Sequence, residues 1–180
     1  FFLGVGIIAG YFAISLTLSY AAGLSMGRRS ELSVIEWATL VVPVCVLVFF
    51  QASGEELLFR GYLTQQLGAR FRHPLIWVLL PSLVFGAIHY SNGTFFEYSA
   101  YYVVATTLFA FAAVTSVWRT GSLSMAMGMH TANNIAAFLL VGPDENMSST
   151  QLWLWSAEDA MNAAPYDIVA MILLVIFMAS

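Results

Sequence analysis

Apolar residues along this chain gather into six long segments separated by short polar breaks, a spacing that predicts membrane-length helices rather than strands. The first runs from about Phe1 to Met26 and ends at the polar Gly27-Arg28-Arg29-Ser30-Glu31. The second begins near Trp37 and continues without a strong breaker to about Leu67, with Pro43 either kinking it or sitting in its first turns. Helical throughout, it would be about 45 Å long, against roughly 30 Å of hydrocarbon. It must therefore tilt or end in an interfacial tail, and Gln65, Gln66, Arg70 and Arg72 favour the tail. Pro74 opens the third segment, Leu75 to Tyr90, in which Pro81 is a second candidate kink. The fourth spans Tyr98 to Trp118, and the fifth Ser122 to Val141. A polar, acidic stretch, Gly142 to Pro165, contains Leu152-Trp153-Leu154-Trp155 and reads as a piece lying on the membrane surface. The sixth segment starts at Tyr166. Trp37, Trp77 and Trp118 fall at segment ends, where an aromatic belt would place them.

Composition agrees with this parse. Of 180 residues, 60% are hydrophobic and only 9% charged, against about 25% in soluble domains. The expected class is an all-α, polytopic transmembrane helix bundle, multi-pass in its membrane, the cell membrane if the source is bacterial. A single domain over residues 1–180 is expected. All six basic residues are arginines, and they are scattered, so nucleic acid is not an expected partner and the lipid bilayer is. Arg70, Arg72 and Arg119 would share one side of the membrane and Arg28 and Arg29 the other, which places the Arg70 side in the cytoplasm. Cys45, inside an apolar run, reads as a small buried hydrophobe. The chain opens without methionine and stops within an apolar stretch, as the core of a longer protein would. The first run has no basic leader, so a cleaved signal peptide is not expected. Asn146-Met147-Ser148 matches a glycosylation triplet too common to carry weight.

Three charges stand out against this background: Glu55, Glu56 and Arg60, just past the apolar run Ala38 to Phe50. Each costs on the order of 3 kcal/mol at the centre of a membrane helix. Glu56 and Arg60 are four apart, acid before base, and would pair on one helical face. Glu55 points about 100° away, with no basic residue three or four positions along. It needs a partner from another segment or a raised pKa. His89 lies near the end of the third segment and His130 in the middle of the fifth, with Asn134 one turn later, whereas His73 precedes Pro74 and reads as exposed. Ser124, Gly128, Ala132 and Ala136 form a small-residue ridge roughly opposite His130 and Asn134, leaving those two free to face a cavity.

Intramembrane ionisable groups tend to face one another, which makes one shared site the economical reading. A carboxylate and an imidazole beside one water form a general base, and a second imidazole with an amide can stabilise an oxyanion. Those parts suffice to hydrolyse an amide bond. Glu and two His are equally acceptable zinc ligands, and spacing does not choose between the two chemistries. Neither a His-Glu-x-x-His pair nor a Gly-x-Ser-x-Gly elbow is present.

Glu55-Glu56-x-x-x-Arg60, Phe85-x-x-x-His89 and His130-x-x-x-Asn134, in that order on successive segments, resemble the motifs of the CAAX protease and bacteriocin-processing (CPBP, or Abi) family. That family consists of intramembrane endopeptidases and includes the type II CAAX prenyl endopeptidases. The resemblance covers about residues 54–134. It implies that Glu55 activates water with His89, that Glu56 and Arg60 organise the site, that His130 and Asn134 stabilise the oxyanion, and that Phe85 packs against it. It implies a membrane-associated peptide or protein substrate, prenylated CAAX proteins among them. The family is described both as metalloproteases, implying Zn2+, and as metal-free glutamate-dependent enzymes. Two other classes could keep the same polar cluster: a proton-coupled transporter and a non-catalytic membrane immunity or scaffold protein.

Overall fold

The structure, a computed structural model, describes residues 1–25, 27–143 and 150–180. Its helices follow the apolar segments. Helix α1 is Phe2–Ala21 and α2 is Val34–Glu56. Ser33 starts α2 with a capping box: its hydroxyl accepts from the Glu36 backbone, and Glu36 accepts from the Ser33 backbone. The chain then winds through a π-helical turn, Leu57–Leu63, into α3, Thr64–Arg70. Pro43 lies inside α2 and does not end it. The continuous helix, Val34–Arg70, has 37 residues and is about 55 Å long. Its far end therefore leaves the hydrocarbon layer, and α3, which buries no residue, is the interfacial tail that the pattern predicts.

A second π turn, Leu75–Leu79, leads into α4, Leu80–Ala87, with Pro81 at its start, where its missing N–H costs least. Helix α5 is Phe96–Thr120 and α6 is Ser124–Ile135, extended by a third π turn, Ala136–Leu140. Helix α7, Ala157–Ala179, starts well before the expected Tyr166. Ser156 caps it by accepting from the Asp159 backbone, and Pro165 is absorbed within it. Among the described residues five helices are long and apolar enough to cross a membrane: α1, the α2–α3 rod, Leu75–Asn92, α5 and α7. The protein is a multi-pass integral membrane bundle. The segment carrying His130 is the short one, a 12-residue α6 lodged among the others.

The one departure from an all-helical chain among the described residues is a small sheet at one end of the bundle. Strand β1, Arg28–Arg29, pairs antiparallel with β3, Trp153–Trp155, which pairs parallel with β2, Val141–Pro143. Part of the stretch expected on the membrane surface is thus a strand, with Leu154 buried. The glycosylation triplet at Asn146 lies outside the described residues.

Small residues set the helix spacing around the site. Gly4 on α1 sits against the Met125 carbonyl, and Gly128 on α6 against Phe1, so that a Cβ at either glycine would collide with backbone. This contact confirms the small-residue ridge on α6 as a packing face. On α4 a Cβ at Gly86 would meet Thr107 and the Val103 carbonyl of α5. The core centres on Ile8, Phe59, Phe85, Phe109, Met129 and Met171, while Val42, Leu47 and Phe50 point outward from α2.

A second polar cluster, which the apolar pattern hides, ties three helices together. Asp167 on α7 accepts hydrogen bonds from Tyr11 and, at 3.1 Å, from Ser15, both on α1. Its other oxygen accepts from Tyr101 of α5 at 2.6 Å. The carboxylate has donors on both oxygens, the condition for holding a charge inside a bundle.

Candidate functional site

Both glutamates lie in the last turn of α2, immediately before the π turn that carries Arg60. Such turns recur at functional sites because they re-aim side chains without ending the helix. Here Arg60 still reaches back one turn: its Nη1 donates to Glu56 Oε1 at 2.8 Å, with both side chains almost completely buried. The ion pair expected from the i, i+4 spacing is present. Helix α6 brings in His130, 3% exposed, whose Nδ1 lies 2.8 Å from the same Glu56 oxygen. A carboxylate oxygen accepts, so Nδ1 carries the proton and Nε2 is left facing Glu55 Oε2 at 3.7 Å. One histidine thus links the two glutamates.

Glu55 sits at the edge of this buried network, with 29% of its side chain exposed. Its Oε1 accepts from the Gln51 side-chain amide one turn earlier on α2, and its Oε2 has no hydrogen-bond partner. The Gln51 carbonyl in turn accepts from Asn134 Nδ2 at 2.9 Å, while Asn134 Oδ1 accepts from Asn133 at 3.2 Å. Gln51 is the residue that the sequence reading missed. Its signal in the sequence is a polar, uncharged side chain at the i−4 position from Glu55, closing an apolar run.

His89 falls one step away. The helix of the third segment ends at Ala87, and His89 Nδ1 donates to the Phe85 carbonyl at 2.7 Å, leaving Nε2 as the free nitrogen. Among the described residues no ion pair joins His89 to Glu55, and the imidazole that meets Glu55 is that of His130. The expectation that burial of Glu55 requires His89 is corrected accordingly: Gln51 and His130 supply its surroundings. Phe85 connects His89 to the rest. Its ring, 1% exposed, lies 4.7 Å from the His89 ring and edge-on to His130 at 5.7 Å, with Arg60 Cζ 4.6 Å from its centroid. A guanidinium on an aromatic face adds about 0.5–2 kcal/mol. His73 is exposed, as expected, and lies outside the site.

Glu55, Glu56, Arg60, His130 and Asn134 therefore form one connected network with Gln51, and His89 adjoins it through Phe85. The two glutamates differ in setting. Each has an Oε2 without a hydrogen-bond partner, but Glu56 is fully buried with Oε1 held by Arg60 and His130, whereas Glu55 is part-exposed with Oε1 held by Gln51. Among the described residues no three His, Cys, Asp or Glu side chains are placed to hold a metal ion together. Glu55 Oε2 and Glu56 Oε2 have no hydrogen-bond partner, whereas Glu56 Oε1 and the Nδ1 atoms of both histidines are engaged.

Comparison with known proteins agrees with the motifs. The family model described as type II CAAX prenyl endopeptidase Rce1-like matches residues 37–136, which contain every residue of the network. The chain is 30% identical over 105 residues to the uncharacterized protein YyaK of Bacillus subtilis (strain 168), covering 58% of this chain and 35% of that protein. It thus spans about a third of the length of this relative. No solved structure matches the chain. The match over more than half of its length, with the charged and histidine motifs on adjoining helices, places the chain in the Rce1-like family of type II CAAX prenyl endopeptidases.

Proposed function

We propose that this chain is the catalytic domain of an intramembrane endopeptidase, a single unit over residues 1–180 with its chemistry in residues 54–134, and that Glu55 is its water-activating base. The observation that carries this reading is the placement of Glu55: its side chain is 29% exposed at the edge of an otherwise buried network, and its enclosed Oε2 has no hydrogen-bond partner and lies 3.7 Å from His130 Nε2. A base needs an uncommitted lone pair within reach of water and a fixed geometry. Glu55 Oε2 is uncommitted, Gln51 fixes its carboxylate, and Glu55 is the glutamate that reaches the edge of the network, whereas Glu56 is fully buried.

In the proposed reaction Glu55 takes a proton from water as the water oxygen bonds to the scissile carbonyl carbon. His130 Nε2 is a second acceptor for that proton. Once protonated it becomes a donor, able with the remaining N–H of Asn134 to stabilise the oxyanion. The C–N bond then breaks and the proton passes from whichever of Glu55 and His130 holds it to the leaving amine, which restores that side chain. Glu56 and Arg60 hold His130 in the required tautomer and touch no reacting atom. His89, with Nε2 free on the other side of Phe85, is a further acceptor for the attacking water or for substrate. No step is routed through a metal.

The substrate in this reading is a peptide bond of a membrane-associated protein, prenylated CAAX-type peptides being the first class to test. The test uses the full-length protein in proteoliposomes with a fluorogenic prenylated CAAX-type peptide. Cleavage with a defined product supports the reading. Proton or solute flux without cleavage supports a transporter instead, and neither activity supports a scaffold or immunity protein.

A further inference from the structure

We infer that Gln51 is a positioning residue for the proposed reaction, a clamp that aims Glu55 and Asn134 with one amide. The inference rests on the proposed role of Glu55 and adds a residue that none of the three motifs contains. An amide offers one donor end and one acceptor end, and Gln51 spends them on different helices. Its N–H donates to Glu55 Oε1 on α2, and its carbonyl accepts from Asn134 Nδ2 on α6 at 2.9 Å.

Each bond removes a freedom that the chemistry cannot leave loose. A glutamate at the end of a helix has three side-chain torsions, and Glu55, part-exposed, is not confined by packing as Glu56 is. With Oε1 held by Gln51, Oε2 is the oxygen turned toward His130 Nε2. Asn134 is fixed from both ends: Asn133 donates to its Oδ1 and Gln51 accepts one of its two N–H groups. The other N–H is thereby directed rather than rotating. Gln51 is itself exposed and touches none of the buried charges, so its removal leaves the Glu56–Arg60–His130 core intact.

The test compares Gln51→Ala, Gln51→Met and Gln51→Glu with wild type in the full-length protein, using the same fluorogenic peptide. Misplacing a positioned catalytic group by about 1 Å can cost about 100-fold, and here the loss should fall on kcat, with KM within about threefold of wild type. Gln51→Met keeps the length and packing of the side chain and should lose as much as Gln51→Ala. Gln51→Glu retains an acceptor for Asn134 but sets a second carboxylate against Glu55, and should lose at least as much. Unchanged kcat in Gln51→Ala overturns the clamp, as does a loss confined to KM, which would make Gln51 a substrate contact. A second measurement does not depend on cleavage: melting temperatures of Gln51→Ala, Asn134→Ala and the double variant. The clamp predicts a combined loss smaller than the sum of the single losses, because both remove one bond. Strict additivity overturns it. If the wild-type protein cleaves nothing, the proposed function fails, while the melting cycle still decides whether the clamp exists.

Discussion

Replacing Arg60 by methionine tests the electrostatic core of the site through stability alone. The perturbation removes a donor 2.8 Å from Glu56 Oε1 and a cation 4.6 Å from the centre of the Phe85 ring, at a position 1% exposed. Methionine fills much of the volume, so the cost is electrostatic rather than a cavity. Glu56, fully buried, keeps only His130 as a partner. Removing one member of a buried ion pair costs about 3–5 kcal/mol because the survivor is left uncompensated. The lost cation–π contact adds about 0.5–2 kcal/mol, and the remaining His130 bond pulls the total toward the lower part of that range. The informative comparison is the double variant Glu56→Gln/Arg60→Met. It leaves no buried charge at either position and preserves an amide oxygen for His130 Nδ1, so it should cost about 1.5–3 kcal/mol, one ordinary hydrogen bond plus the lost cation–π contact. The expected order of stability is wild type, then double variant, then Arg60→Met, an order in which a second mutation restores stability. Tryptophan fluorescence during denaturation in mild detergent reads it. An Arg60→Met protein as stable as wild type, or a double variant less stable than the single one, would refute the view of Glu56 as a buried, paired anion.

Further outcomes follow from other contacts. Tyr101→Phe removes a 2.6 Å hydrogen bond to the Asp167 carboxylate and should cost about 1.5–3 kcal/mol without altering KM; unchanged melting would show that Asp167 does not depend on it. Gly86→Leu must displace α4 from α5, since even a Cβ meets Thr107 and the Val103 carbonyl. Because Phe85 and His89 move with α4, cleavage should be lost along with about 1–3 kcal/mol of stability, and retained cleavage would place His89 and Phe85 outside the working site. Exhaustive chelation, with metal content measured, should leave cleavage at the untreated rate; loss that zinc alone restores would instead make Glu55 and the histidines ligands.

Much of this was legible in the sequence because the bilayer penalises polar groups so heavily. Glu55, Glu56 and Arg60 could not be accidental in an apolar run, and i, i+4 spacing was enough to pair Glu56 with Arg60. Which histidine meets Glu55 was not legible. Helical spacing gives the face a residue lies on, whereas the meeting of His130 with both glutamates depends on how α6 sits in the bundle against α2 and against α1, where Gly4 and Gly128 allow close approach. Asp167 escaped notice for a related reason. Its donors, Tyr11 and Tyr101, look in sequence like any aromatic residues of a membrane segment, and only packing turns their hydroxyls toward one carboxylate. The start of α7 was obscured by Pro165, which reads as a breaker until the Ser156 cap upstream is seen. Strands of two or three residues are too short to show any alternation.

The central claim is that the two adjacent glutamates have divided their work, Glu55 acting on water and Glu56 holding the histidine that faces it. Cleavage by Glu55→Gln tests this most directly, because an amide keeps the shape of the side chain and can still bond to Gln51 but cannot accept a proton from water. The account predicts that the variant melts within a few degrees of wild type and that its cleavage of the prenylated reporter peptide falls by about 10²–10⁴-fold, as expected when a general base is removed. A well-folded Glu55→Gln protein that cleaves at the wild-type rate would contradict it.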